Sequence, residues 1–240
     1  MNARLIQAQM NDFFQLESIT KEENTRIEEN TLGQVQNKEW MLQRQHRLTS
    51  SNFGRICKAT SATNFHALAR SFIHKKHFSS RATSHGIKYE SVAVEAFERI
   101  TGHKTVECGL FVDSTNPWLA ASPDQLVDSN TILEVKCPFT AKDKMTNPTN
   151  VPYVKFGDEG MTLCHDHQYY YQVQGQLMCT NHSRCLFIVF TLVDFKIIEI
   201  ARDDQFITSM VKNLESFYKQ YFRSALISKF VFKSYDRYFV

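Results

Sequence analysis

Ser122-Pro123-Asp124 and, ten residues on from the aspartate, Glu134-Val135-Lys136 decide the fold of this chain. Ile132 to Cys137 reads as a β-strand, in which successive side chains alternate between faces. Glu134 and Lys136 then share one face, and Leu133, Val135 and Cys137 share the other. Asp128-Ser129-Asn130 has the composition of a turn, so a hairpin brings Asp124 back beside Glu134. Two carboxylates together make a hard oxygen site suited to Mg²⁺ or Mn²⁺. A neighbouring amine can orient or polarise an attacking water, or stabilise charge on a phosphate. These are the parts that metal-assisted phosphodiester cleavage requires. Alone, a Glu-x-Lys pair on a strand is most often a solvated ion pair. The other parts must therefore come from elsewhere in the chain.

Two predicted helices carry them. Residues 84–101 place Gly86, Ala93, Val94, Phe97 and Thr101 on one stripe at helical spacing, with Glu90 on the same stripe. A carboxylate on a core-facing stripe is costly unless it is paired, binds a metal or reaches water at the stripe's end. In the second helix, about 166–179, Gln174 lies on a face flanked by Tyr170, Tyr171, Leu177 and Met178, and Gln172 and Gln176 face away. A buried glutamine needs partners. Gln174 either caps a backbone group or holds water or a phosphate near a metal.

Glu90, Ser122-Pro123-Asp124, Glu134-Val135-Lys136-Cys137-Pro138-Phe139 and Tyr171-Gln172-Val173-Gln174, in that order, resemble the phage lambda exonuclease and YqaJ-type viral recombinase family. That family belongs to the PD-(D/E)xK nuclease superfamily. Arg44-Gln45-His46-Arg47-Leu48-Thr49-Ser50-Ser51-Asn52-Phe53-Gly54 matches the family's arginine-to-Thr-x-Ser opening with the same spacing. The likeness spans roughly residues 40–200; Gln125 departs from it, standing where members often have glycine, and the N-terminal 40 residues do not align. The resemblance implies a restriction-endonuclease-like α/β fold, with a mixed central β-sheet flanked by helices. It implies a Mg²⁺- or Mn²⁺-dependent deoxyribonuclease with two ions, acting 5′ to 3′ on duplex DNA ends in recombination or repair. Asp124 and Glu134 would be metal ligands, joined by the Val135 carbonyl and by Glu90. Lys136 would activate or position water, and Gln174 would hold water or phosphate. Arg44, Ser51 and Ser122 would grip the 5′-phosphate. Relatives form ring-shaped trimers, and a single-strand annealing protein is the partner class the likeness brings with it. From the residues themselves, Thr49-Ser50-Ser51 reads as a helix N-cap cluster, and a helix N-terminus beside an arginine makes an anion site.

Bulk properties fit this reading without discriminating. The chain has 240 residues, 42% of them apolar, and a net charge of +3, too small to signal nucleic acid by itself. Residues 218–240 interleave Lys219, Arg223, Lys229, Lys233 and Arg237 with eight aromatic residues. Such a segment either tracks a nucleic-acid backbone or docks on the core with its charges in water. Six cysteines without paired spacing point to a reducing, intracellular compartment, nuclear in a eukaryotic source. Neither a signal peptide nor a membrane partner is expected. Cys164, His165, His167, Cys179, His182 and Cys185 straddle a predicted helix without a C-x-x-C knuckle, so zinc is not expected. The three-cysteine grouping of iron–sulfur nucleases is missing as well.

Residues 1–39 read as peripheral, with acidic Lys21 to Asn30 either a solvated helix face or a flexible arm. Residues 40–240 read as one nuclease domain with a core over about 84–200. Helices are expected near 33–46, 51–59, 64–76 and 203–224, and strands near 105–112, 118–128, 131–137, 185–193 and 195–200, with 138–164 a long loop. Two other functions compete with the exonuclease: a structure- or sequence-specific endonuclease on the same core, and a non-catalytic DNA-binding module.

Overall fold

The structure, a computed structural model, describes residues 19–73, 80–158 and 160–229. Its centre is a four-stranded mixed sheet in the order β4 (Gln125–Asp128), β5 (Thr131–Lys136), β8 (Arg184–Phe190), β9 (Phe195–Ala201). The β4–β5 pair is antiparallel, β5–β8 parallel and β8–β9 antiparallel. A parallel pair needs a crossover. Here it contains the hairpin β6 (Val154–Gly157)–β7 (Gly160–Leu163) and the helix Gln168–Thr180. A second sheet sets β1 (Leu48–Thr49) parallel to β3 (Leu119–Ala121), and β3 antiparallel to β2 (Phe111–Val112).

Alternation along β5 divides the core into two layers. Leu133 and Val135 pack with Ala93, Phe97 and Ile188, against the helix Arg81–Thr101. Ile132 packs with Phe187, Val189, Val173 and Leu177, against the helix Gln168–Thr180. Burying each such side chain stabilises the fold by roughly 1.5–3 kcal/mol. Glu134 and Lys136 lie on this second face of the strand, under the helix 168–180.

In chain order the helices are α1 (Lys21–Asn30), α2 (Lys38–Gln45), α3 (Phe53–Cys57), α4 (Phe65–Ile73), α5 (Arg81–Thr101), α6 (Gln168–Thr180), α7 (Asp204–Phe217) and α8 (Arg223–Ile227). Helix α6 is the hub. The His167 ring accepts from Tyr169 N at 3.2 Å to cap its start, and Asn181, left-handed at φ 55°, ends it. It is covered on both sides, by the sheet and by α3. A Cβ on Gly175 would stand 2.5 Å from the Phe53 ring, so only glycine permits that approach.

Several expectations are corrected. The strand over 105–112 shrinks to Phe111–Val112 plus a bridge between Val106 and Leu126. The stretch 118–128 is two strands broken by Ser122-Pro123-Asp124, since proline there cannot donate to a ladder. The 138–164 loop contains the β6–β7 hairpin and a 3₁₀ turn at Phe139–Ala141. The closing helix changes at Phe217 to a π-helical turn over Tyr218–Phe222 before α8. Up to Lys229 the basic, aromatic C-terminal segment docks on the core: Tyr218 stacks on Trp118 at 4.7 Å, Tyr221 stacks on Phe65 at 5.0 Å, and Phe222 is buried. Its remaining residues, 230–240, and residues 1–18 of the N-terminal segment lie outside the described residues.

Lys21 to Asn30 is not an arm but a docked helix. Thr20 and Glu23 form a reciprocal capping box at its start. The Asn24 amide pairs with both backbone groups of Val112, at 2.7 and 3.0 Å. Gly109 N donates to Glu28 Oε1 at 2.9 Å, and Leu110 N to Thr31 Oγ1 at 2.7 Å. A Cβ on Gly109 would stand 2.0 Å from the Glu28 carbonyl oxygen, which is backbone and cannot step aside. Gly109→Ala is therefore expected to push α1 off the second sheet and cost about 1–3 kcal/mol. That corresponds to a melting point lower by about 2–12 °C, readable by calorimetry. An unchanged melting point would contradict the docking of α1.

Candidate active site

The β4–β5 hairpin returns Asp124 to Glu134 as the turn composition predicted. Asp124 N donates to the Leu133 carbonyl at 3.1 Å, and Val135 N donates to Asp124 Oδ2 at 2.6 Å. The loop before Asp124 is pinned at Pro123, whose carbonyl accepts from Gln34 Nε2 at 2.7 Å. The Val135 side chain packs in the core on the α5 side.

Glu134 is 1% exposed and its carboxylate is enclosed by donors. Oε1 accepts from Lys136 Nζ and from Gln172 Nε2, the latter at 2.6 Å. Oε2 accepts from Gln176 Nε2 at 2.6 Å. Lys136 also stands over the Tyr169 ring, 4.9 Å from its centroid. The shared face of Glu134 and Lys136 is thus a tight ion pair, not a solvated one.

Gln174 is elsewhere, and its companions on α6 are reversed from expectation. Its Nε2 donates to the Ala201 carbonyl at 2.9 Å, and its Oε1 accepts from Asp203 N at 2.9 Å. It pins the corner between β9 and α7 and lies outside the carboxylate cluster. Gln172 and Gln176, read as facing away, are the two that reach Glu134. The cause is that α6 is buried on nearly every side, so apolar neighbours do not single out one core-facing stripe.

Electrostatics tie Glu90 to this group. Glu90 is exposed on α5, yet partial desolvation of its carboxyl raises it, Glu134 raises it further, and Lys136 opposes them. Asp124 is raised well above its ordinary 3.8 by burial and by Glu134 and Glu90, against Lys136 and the Val135 amide. Burial alone would lower Lys136, but Glu134 and Asp124 reverse this and leave it raised. It therefore stays an ammonium at neutral pH.

Among the described residues, no group of three or more His, Cys, Asp or Glu side chains converges closely enough to hold a metal ion. Lys136, Gln172 and Gln176 take up the Glu134 oxygens instead. The donor chemistry nevertheless fits a hard divalent cation. Three carboxylates repel one another, and one ammonium does not balance them. The zinc question rests on residues that go separate ways. Cys179 and Cys185 are buried in different core clusters, with burial raising both thiols. His165 stacks on Tyr170, and His167 caps α6.

This charge imbalance predicts a pH signature. Asp124 and Glu90 have raised folded values, so the folded, cation-free chain holds protons more tightly than the unfolded chain. Its stability then falls as pH rises from about 4 through the raised values. Lys136 acts with the same sign in a higher window: its contribution is fully present below lysine's ordinary value and is lost above it, as pH rises through the raised folded value. Mg²⁺ bound at these carboxylates would compete with their protons. It should therefore raise the melting point more near pH 8 than near pH 5, and Asp124→Asn should shrink the difference. Equal shifts at both pH values would contradict a cation at these carboxylates.

A second cluster surrounds Arg44. Its guanidinium donates to Ser51 Oγ at 3.3 Å and lies 4.1 Å from the Trp40 ring centroid. Trp40 Nε1 donates to Ser122 Oγ at 2.8 Å. The three residues expected to grip a phosphate are therefore linked, through a tryptophan that the sequence reading missed. Desolvation lowers Arg44 to about 10, which still leaves it charged at neutral pH. The expected N-cap at Thr49-Ser50-Ser51 is not formed. Thr49 ends β1 and starts a 3₁₀ turn, without a side-chain cap, and its hydroxyl accepts from Asn52 Nδ2 at 3.1 Å. Any anion site here rests on side chains and not on a helix terminus.

A family model described as the YqaJ-like viral recombinase domain matches residues 39–183. The alkaline nuclease of Orgyia pseudotsugata multicapsid polyhedrosis virus is 25% identical over 229 residues, which cover 85% of this chain and 52% of that protein. The chain thus spans about half the length of that curated relative. Among solved structures, the alkaline exonuclease of Laribacter hongkongensis aligns at a TM-score of 0.63 and 24% identity, covering 83% of this chain and 99% of that one. It has also been solved in complex with dAMP. A SOX–DNA complex aligns at a TM-score of 0.59 and 12% identity, covering 94% of this chain and 73% of that one. At these identities the structural matches are likenesses of fold, and the fold is the restriction-endonuclease-like α/β architecture expected. No helix among the described residues is long and apolar enough to cross a membrane.

Proposed function

The chain belongs to the YqaJ-like viral recombinase domain family, and on that premise we propose that it is a divalent-metal-dependent DNA exonuclease that enters at a duplex 5′ end. The observation that carries the reading is the pairing of two clusters: Asp124, Glu134, Glu90 and Lys136 on one side, and Arg44, Ser51 and Ser122 on the other. Ser122 lies two residues before Asp124, so the residues proposed to grip the end phosphate and to hold the metal share one loop.

Asp124, Glu134 and Glu90 would hold Mg²⁺ or Mn²⁺, with the Val135 carbonyl as a further oxygen. When bound, the cation lowers the pKa of water and offsets charge on the leaving oxygen. A cation held there would compete with Lys136 for Glu134 Oε1, while Gln176 keeps its bond to Oε2. The Lys136 ammonium is then available to donate a hydrogen bond to the phosphate or to orient the water. Its raised pKa suits a donor, not a proton acceptor. Gln172 keeps Glu134 aligned. Arg44 offers a planar fork to the terminal phosphate, which carries more charge than an internal diester, and Ser51 and Ser122 add neutral donors. Trp40 contacts both Arg44 and Ser122, its ring face lying under Arg44 and its Nε1 holding Ser122 Oγ.

The relatives support a nucleic-acid substrate: one of similar fold has been solved with DNA and another with dAMP. A trimeric ring and a single-strand annealing partner belong to the same proposal, as features of the wider family. The test is strand polarity. A duplex labelled at one 5′ end and, separately, at one 3′ end is digested with Mg²⁺. Early release of the 5′ label as a mononucleotide is expected, and early release of the 3′ label would overturn the proposal.

A further inference from the structure

Gln176 is completely buried, and its carboxamide bridges the two clusters. Nε2 donates to Glu134 Oε2 at 2.6 Å and to the Ser122 carbonyl at 3.3 Å. From Ser122 the chain of contacts continues through Trp40 Nε1 to the Ser122 hydroxyl, and through the Trp40 ring to Arg44. On the same carboxamide, Oε1 is buried without a hydrogen-bond partner among the described residues. Leaving an acceptor so costs about 1–3 kcal/mol. Flipping the amide would not relieve it, because the oxygen would then face a carboxylate and a carbonyl, both acceptors. An apolar side chain of equal volume would remove that orphan but leave Glu134 Oε2 and the Ser122 carbonyl without this donor. What the glutamine does maintain is a fixed spacing between Glu134 and the Ser122 loop.

We propose that Gln176 is a positioning residue that couples the grip on the end phosphate to cation binding: a phosphate held by Arg44, Ser51 and Ser122 fixes the Ser122 loop, and Gln176 passes that constraint to Glu134. The inference rests on the assignment of the two clusters made above. Coupling is reciprocal, so a phosphorylated end tightens the cation site and the cation tightens the grip on the end. The consequence for the reaction is that the metal site is completed at a chain end and less so on internal duplex. Gln176 itself touches neither phosphate nor metal.

The experiment is calorimetry of Ca²⁺ binding to the full chain. The chain carries a hairpin duplex with either a 5′-phosphate or a 5′-hydroxyl end; Ca²⁺ should support binding without cleavage. For the wild type, the phosphorylated end should tighten Ca²⁺ about tenfold, and for Gln176→Met that ratio should fall to about one. A change in packing alone would weaken both measurements equally and leave the ratio intact. An unchanged ratio in a folded Gln176→Met protein overturns the proposal, as does a wild-type ratio near one. If Gln176→Met does not fold, Trp40→Phe breaks the same relay at its far end, and a wild-type ratio retained there overturns the proposal too. A wild type that binds no Ca²⁺ with either duplex overturns the carboxylate assignment first, and the coupling with it.

Discussion

Lys136→Ala should reduce single-turnover cleavage by about 10²–10³-fold while the duplex stays bound, as expected when one donor aimed at developing charge is removed. The ammonium is held by Glu134 on β5 and by the Tyr169 ring, and both Glu134 and Asp124 keep it charged. Removing it does not strand Glu134, which retains Gln172 and Gln176 as donors. The change should therefore act on turnover and not on affinity, the mark of an interaction made in the transition state. Anisotropy with Ca²⁺ measures binding, and a quench series with Mg²⁺ measures the chemical step. Cleavage within a few-fold of wild type would remove Lys136 from the reaction.

Arg44→Ala should erase the preference for phosphorylated ends, slowing their digestion by about 10- to 100-fold, the range for losing charged hydrogen bonds. Hydroxyl ends should slow far less. Arg44 lies over the Trp40 ring and donates to Ser51, and these contacts orient its fork. Arg44→Lys should rescue only in part, because a point charge lacks that fork. The rate ratio on the two end types is the measurement. An unchanged ratio would remove the phosphate pocket and shift weight to an endonuclease that binds internal duplex.

The sequence was most legible where a local rule matched the tertiary outcome. Alternation along β5 placed Glu134 and Lys136 together, and Asp128-Ser129-Asn130 closed the hairpin that returns Asp124. It misled where burial came from two directions. On α6 the glutamines that reach Glu134 are spaced four residues apart, and Tyr169 lies one turn before Gln172. That spacing puts them on one face. It was a usable signal, hidden by the apolar residues on both sides of the helix. Trp40 was legible by the same rule, four residues before Arg44, but lay at the edge of the stretch that resembles the family. The docking of α1 could not be read at all. It depends on Asn24, Glu28 and Thr31 meeting backbone groups of residues 109–112, contacts about 80 residues away in the chain. A polar, acidic composition describes such a helix and a free arm equally well.

The central claim is that cleavage begins at a duplex end and depends on the carboxylates around Lys136. It is tested most directly by a Mg²⁺ time course on one duplex in three forms: linear with 5′-phosphates, linear with 5′-hydroxyls, and covalently closed circular. The account predicts fast digestion of the first, slower digestion of the second and none of the circle, with all activity lost in Glu134→Gln. Cleavage of the closed circle at a rate comparable to the linear forms would contradict it.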